Sequence, residues 1–121
     1  MKTAFDITSE RIDRKSEKQG ELYYAYVRIY LKEVSRPDAD ITLDDVDYVI
    51  YKLDESYGDN RLQRSRSRAT NFEIKIWTYG WFYVTASVIT RDGRTAELTG
   101  KVEYEPTPEE RETNGSDEFT W

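Results

Sequence analysis

Between residues 22 and 31, Tyr23, Ala25, Val27, Ile29 and Leu31 alternate with Leu22, Tyr24, Tyr26, Arg28 and Tyr30. A period of two in β-branched and aromatic residues predicts a strand, here with aromatic side chains on both faces. A weaker alternation over Ala4–Ile12 predicts an earlier strand that pairs with it, the polar stretch 14–20 between them reading as a hairpin loop. Residues 35–40, with Pro37 and two acids, break the pattern, and a third strand resumes over Asp47–Leu53. In a fourth strand, Phe72, Ile74 and Ile76 face one way and Glu73 and Lys75 the other, ending at Trp77. Thr78-Tyr79-Gly80 supplies a turn, and Phe82, Val84, Ala86 and Val88 mark one face of a fifth strand running to Ile89. Arg91-Asp92-Gly93-Arg94 is the strongest hairpin signal, because Asp-Gly tolerates the positive φ of a tight primed turn. Thr95 to Tyr104 forms the last strand, with Ala96, Leu98 and Val102 on its apolar side. No window carries apolar residues at helical spacing over three turns, so no long helix is expected. Six or more short antiparallel strands predict an all-β fold, a two-sheet β-sandwich, with a small barrel as the alternative.

Length and charge set the domain organisation. The chain has 121 residues, one domain's worth, with 18 basic and 24 acidic side chains and a formal charge of −6. Residues 105–121 hold six acids and one base, a net of −5, which leaves −1 for residues 1–104. The pI near 4.8 therefore reports the tail. We expect residues 1–104 to form the sandwich and residues 105–121, interrupted by Pro106, Pro108, Asn114 and Gly115, to be an acidic, disordered tail with Trp121 dangling at its end. The absence of His and Cys removes an imidazole base, a thiol nucleophile, disulfides and the commonest zinc ligands. Ten Tyr, three Trp and four Phe in a polar chain point instead to a binding module. There is no apolar membrane span and no signal-peptide core at the start, so a cytoplasmic location is expected.

Two segments carry more than a fold class: Val49-Ile50-Tyr51-Lys52-Leu53-Asp54-Glu55-Ser56-Tyr57, and Phe72-Glu73-Ile74-Lys75-Ile76-Trp77-Thr78-Tyr79-Gly80-Trp81-Phe82. With Arg61 between them and Asp92-Gly93 after them, they resemble the YEATS domain, in particular its prokaryotic branch. In that family a V-x-Y-x-L strand leads into an H-x-S-F loop, a basic loop follows, and a G-W-G-x-F turn precedes the next strand. The resemblance spans residues 4–104. It implies an immunoglobulin-like antiparallel β-sandwich whose end loops recognise acylated lysine, with Ser56 at the hydroxyl position, Tyr57 and Tyr79 as opposing aromatic walls, and a backbone N–H near Tyr79 and Gly80 for the acyl oxygen. Asp54 stands where the family has His, Thr78 where the turn often has Gly, and Gly58-Asp59 where Pro is usual. The candidate ligand-binding residues are therefore Asp54, Ser56, Tyr57, Thr78, Tyr79, Gly80 and Trp81.

The remaining readings are plainer. Trp77 and Phe82 are assigned to the core by alternation, whereas Trp81 is either an inter-sheet filler or an exposed contact. Arg61, Arg64, Arg66 and Arg68 form a basic loop expected to pair with the acidic tail; without interleaved aromatics it does not suggest nucleic acid. Asp38, Asp40, Asp44, Asp45 and Asp47 lack the order of a calcium loop and read as solvated acids. No nucleophile, base and orienter set is recognisable, and no metal or other cofactor is expected. The sequence thus predicts a non-enzymatic module whose partner is an acylated-lysine peptide or another protein, with neither nucleic acid nor membrane involved. The alternative, which the resemblance to the prokaryotic branch implies, is a structural or regulatory protein-interaction domain of a bacterial signalling or conflict system, without acyl-lysine binding.

Overall fold

In a computed structural model of the chain, which describes residues 1–114, seven strands build two sheets. They are β1 (Phe5–Gln19), β2 (Leu22–Glu33), β3 (Val46–Lys52), β4 (Leu62–Ser65), β5 (Ile74–Thr78), β6 (Phe82–Thr90) and β7 (Thr95–Val102). A three-stranded sheet runs β1-β2-β5 and a four-stranded one β4-β3-β6-β7, all antiparallel. This is the expected immunoglobulin-like sandwich. Its core is one set of alternating positions from each sheet: Ala25, Val27, Ile29 and Leu31 of β2 face Val49 and Tyr51 of β3 and Val84, Ala86 and Val88 of β6, all fully buried. No helix among the described residues is long and apolar enough to cross a membrane.

Two seams run where the sheets' edges meet. At the first, β1 lies beside β7, and Gly100 makes the approach possible: a Cβ there would sit 2.8 Å from the Cβ of Ile7. Ser9 then bridges the backbone of Glu103, its hydroxyl donating to the carbonyl and accepting from the N–H, both at 3.2 Å. At the second seam, β4 and β5 approach each other less closely, and a cavity opens between them.

Several elements differ from the sequence reading. Residues 14–19 of the polar stretch are strand rather than loop: β1 continues to Gln19, opposite Leu22, and the turn is Gly20-Glu21 alone, with Gly20 at φ 65°. A large bulge absorbs the polarity, residues 12–15 facing the single residue Tyr26, while the Arg11 guanidinium donates to the carbonyls of Asp13 and Lys15. Strand β4 went unforeseen because its four residues, Leu-Gln-Arg-Ser, sit inside an arginine-rich run. Phe72 is buried as expected, but not as a strand residue. It and Asn71 adopt the left-handed backbone (φ 58° and 56°), and its carbonyl accepts the buried Tyr51 hydroxyl at 2.7 Å. The Asp92-Gly93 hairpin forms with a four-residue connection, Gly93 at φ 87°.

The expectation of a disordered tail from residue 105 does not hold for residues 105–114; residues 115–121, with Trp121, lie outside the described residues. A short helix, α1 (Pro108–Asn114), packs against β2. Thr107 caps it, donating its N–H to Glu110 Oε1 (2.8 Å) and accepting the Glu110 N–H (3.3 Å), a capping box with Pro at the first helical position. The Glu110 side chain is fully buried and forms a bidentate pair with Arg11 (2.6 and 2.8 Å) and a short bond from Ser16. Glu110 thus pairs with β1 rather than with the arginine loop; Asp117 and Glu118 of the tail lie outside the described residues. Arg64 and Arg66 of that loop pack over the Tyr48 ring, and Arg68 pairs with Asp44.

Burial alone would push the Glu110 carboxyl up, but hydrogen bonds from Arg11, Ser16 and the Thr107 N–H outweigh it and hold the group below its ordinary value. Removing one partner strands a buried charge, so Glu110→Ala is expected to cost about 3 kcal/mol in urea unfolding, and Arg11→Met with Glu110→Leu to recover most of it. Because the folded pKa is depressed, the pair's contribution is present above the ordinary glutamate value and fades as pH falls through the folded one. The stability advantage of wild type over Glu110→Gln should therefore shrink in acid; an advantage constant down to the lowest pH would contradict this account.

Candidate functional site

The first wall of the cavity begins where β3 ends. Asp54 has extended backbone, and its carboxylate accepts the Ser56 N–H at 3.0 Å, starting a 3₁₀ stretch over Glu55–Asn60. Gly58, at φ 58° and ψ −126°, reverses the chain inside that stretch, and Leu53 closes the loop by donating its N–H to the Arg61 carbonyl at 2.7 Å. The result exposes Ser56 and turns Tyr57 inward. The Tyr57 ring packs on Phe82 (centroids 5.8 Å apart), and its hydroxyl donates to the Trp77 carbonyl at 2.6 Å, tying this loop to β5.

The opposite wall is the turn between β5 and β6. The buried Thr78 hydroxyl donates to the Gly80 carbonyl at 2.9 Å and accepts the Gly80 N–H at 3.4 Å. From below, the Tyr104 hydroxyl donates to the Thr78 carbonyl (3.3 Å), and Trp81 Nε1 donates to the Tyr104 carbonyl (3.0 Å). Held this way, the turn projects Tyr79 toward the β1–β2 hairpin, where it meets Tyr24 edge-on at 5.2 Å. Trp77 stacks on Tyr26 at 4.7 Å.

Between these walls lies a cavity of about 520 Å³, within the size range of small-ligand sites. Asp54, Ser56, Tyr57, Thr78 and Tyr79 line it, so five of the seven candidate residues come together. Gly80 and Trp81 do not line it. Gly80 is buried with its N–H on Thr78, and Trp81 packs against the core on the far side of the turn, with Lys101 over its ring. The cavity also takes in Gln19 and Tyr24 from the hairpin, Asn60 just before β4, Gln63 of β4, and Lys75 and Trp77 of β5. The reading of Trp77 as core is corrected: Ile74, Ile76 and Thr78 fill the inward positions of β5, which leaves Trp77 half-buried on the outer face. The signal available in the sequence was the second aromatic face of β2, since Tyr24 and Tyr26 cannot point inward when Ala25 and Val27 do.

Asp54 and the two phenols set the electrostatics of the cavity. Hydrogen bonds from the Ser56 hydroxyl and N–H hold the Asp54 carboxyl below its usual range, so the group is an anion that orients Ser56. Burial raises the Tyr57 phenol to about 12, and Tyr79 is raised by burial with help from Tyr24 and Asp54, so both rings are neutral walls at physiological pH. Among the described residues no acidic cluster could hold a metal ion.

Fold and cavity together define a β-sandwich with an aromatic slot framed by loops at an open seam. The family model of the prokaryotic YEATS domain matches residues 26–103, 78 of the 121 positions, and the chain belongs to that family. Among solved structures it is similar to the Yaf9 YEATS domain recognising an H3K122suc peptide (TM-score 0.58, 13% identity, covering 84% of this chain and 70% of that one). It is also similar to the yeast AF-9 homolog Yaf9 (TM-score 0.58, 14% identity, covering 84% and 66%). At such identities the likeness shows the fold. No curated protein matches the sequence.

Tyr57→Phe keeps the ring and removes the tie to β5; a loss of about 1 kcal/mol in thermal or urea unfolding is expected. Since the folded Tyr57 pKa is raised, its contribution is complete below the ordinary tyrosine range and is lost as pH climbs through about 12. An ultraviolet titration of wild type against Tyr57→Phe should accordingly show the missing phenol near pH 12, above the ordinary tyrosine range; a difference at the ordinary tyrosine pKa would contradict it.

Proposed function

We propose that the slot recognises an acylated lysine carried by a protein partner, and that the domain acts as a binding module rather than an enzyme. The observation that carries the proposal is the convergence of Ser56, Tyr57 and Tyr79, from two different loops, on one cavity. Acylation removes the lysine charge and adds a planar amide. Aromatic faces suit that plane, and a hydroxyl oriented by Asp54 suits its polar atoms. Tyr24 and Trp77 add apolar surface beyond the two walls, which favours longer planar acyl groups over acetyl. The family likeness supports a peptide partner, since the similar Yaf9 domain recognises a modified histone peptide. Asp54 in place of the family's His supports Ser56 by a different group.

The test is an NMR amide titration with matched peptides carrying unmodified, acetylated and crotonylated lysine. Acylated peptides are expected to shift Ser56, Tyr57 and Tyr79, crotonyl more strongly than acetyl, and unmodified peptide not at all. Tyr79→Ala should weaken binding about tenfold, the worth of one aromatic face. Tyr79 is the better probe because Tyr57 also supports the core. A folded domain whose slot amides ignore all three peptides would leave the family fold without this ligand.

A further inference from the structure

The outer face of the four-stranded sheet is as particular as the slot. The strand register sets out its rows: Arg64, Ile50, Ser87 and Glu97; Leu62, Lys52, Thr85 and Thr99; then Tyr83 beside Lys101; and at the other end Tyr48 beside Ile89 and Thr95. Arg66 completes that last row by lying over Tyr48. Four cations, Lys52, Arg64, Arg66 and Lys101, meet one acid, Glu97, in a chain whose net charge is −6. Seven other cations are paired with carboxylates, but among the described residues none of these four is. The contrast with the other sheet is direct, because there Arg28 is neutralised by Glu10 and Glu73, and Lys75 by Glu73.

Two further features make this face a surface for a partner. Arg64 and Arg66 lie over Tyr48 at 4.8 and 4.9 Å, which fixes both guanidiniums while leaving their in-plane N–H groups for carboxylates. Among the described residues, Leu62 and Tyr83, 58% and 63% exposed, are two of the four exposed large apolar side chains; Ile50 lies in the row between Leu62 and Tyr48, and Ile89 lies beside Tyr48. Arg64 and Arg66 therefore sit along the β4 edge with Leu62, and Lys101 sits on the β7 edge, with Ile50, Lys52 and Tyr83 on the two strands between. At about 4.8 Å per strand the edges are roughly 14 Å apart, slightly wider than a helix.

We propose that this face docks an acidic amphipathic helix of another protein, its apolar stripe on Ile50, Leu62 and Tyr83 and its flanking carboxylates on Arg64, Arg66 and Lys101. The apolar middle argues against nucleic acid. Tyr48 is already covered by both guanidiniums, which leaves Tyr83 as the exposed ring in these rows, fewer than the successive rings on which bases stack. This surface is separate from the slot and does not depend on what the slot binds.

The experiment is an NMR titration of the full chain with a helical peptide of about 20 residues bearing leucines on one face and glutamates beside them, long enough to run the length of β6 between the two edges. Two controls run beside it: the same peptide with serine for leucine, and a single-stranded thymidine oligonucleotide. The leucine peptide should shift Ile50, Lys52, Leu62, Arg64, Tyr83 and Lys101, and the exposed double variant Arg64→Glu with Arg66→Glu should weaken it at least about tenfold while Tyr79→Ala leaves it unchanged. Absent shifts, shifts confined elsewhere, equal binding of the serine peptide, or tighter binding of the oligonucleotide would each overturn the proposal, the last in favour of a nucleic-acid surface.

Discussion

Three strands packed on four share one core but leave two seams, and the distinctive features of this molecule follow from how each is treated. At the β1–β7 seam, Gly100 removes a side chain so that Ile7 can close in, and Ser9 takes up the backbone groups of Glu103. At the β4–β5 seam there is no such fit. The sheets are joined there by the Tyr57 hydroxyl on the Trp77 carbonyl, a bond that reaches across the gap without filling it. A cavity is what remains, and it is stable because its rim is built from groups whose polar atoms are already satisfied: Thr78 on Gly80, Asp54 on Ser56, Tyr57 on Trp77.

The elements that complete the slot lie partly outside the stretch that matches the family. Gln19 and Tyr24 belong to the β1–β2 hairpin, and Tyr104, which supports the Tyr79 turn from beneath, directly follows the matched residues 26–103. So do both partners of the buried Arg11–Glu110 pair, one on each side of the match. Arg11 also lies against the Tyr104 ring, at 5.6 Å from its centroid. A continuous set of contacts therefore runs from the C-terminal helix through Glu110, Arg11 and Tyr104 to the Thr78 carbonyl, behind the wall that carries Tyr79.

Period-two patterning made the sandwich legible, because each of the five strongest strands must present one apolar face and does. What patterning could not show was decided by single polar residues with distant partners. The stretch 14–20 is too polar to read as strand, and residues 14–19 become one because Arg11 satisfies the carbonyls of the bulge. Thr107-Pro108-Glu109-Glu110 is a helix start visible in the sequence, but its high acidity reads as solvation until Arg11, nearly a hundred positions away, is placed opposite. The slot was partly legible for the same reason. Loop aromatics beside Ser and Gly mark a site locally, whereas Tyr24 and Trp77 join it through strand pairing.

The slot's two walls are not equivalent. Tyr57 is both wall and strut: its ring rests on Phe82 at the edge of the core, and its hydroxyl holds the seam. Any substitution that reshapes that side acts on stability at the same time. Tyr79 sits on a turn whose fixed points are the Thr78 hydroxyl, the Thr78 carbonyl and the Trp81 indole, and its ring meets Tyr24 from another strand in a T-shaped contact. Side-chain changes at Tyr79 or Tyr24 alter the width of the slot while leaving those fixed points in place. The width of the cavity is therefore adjustable on its hairpin side and constrained by the core on the other, and under the proposed function the hairpin side is where acyl-group size would be selected.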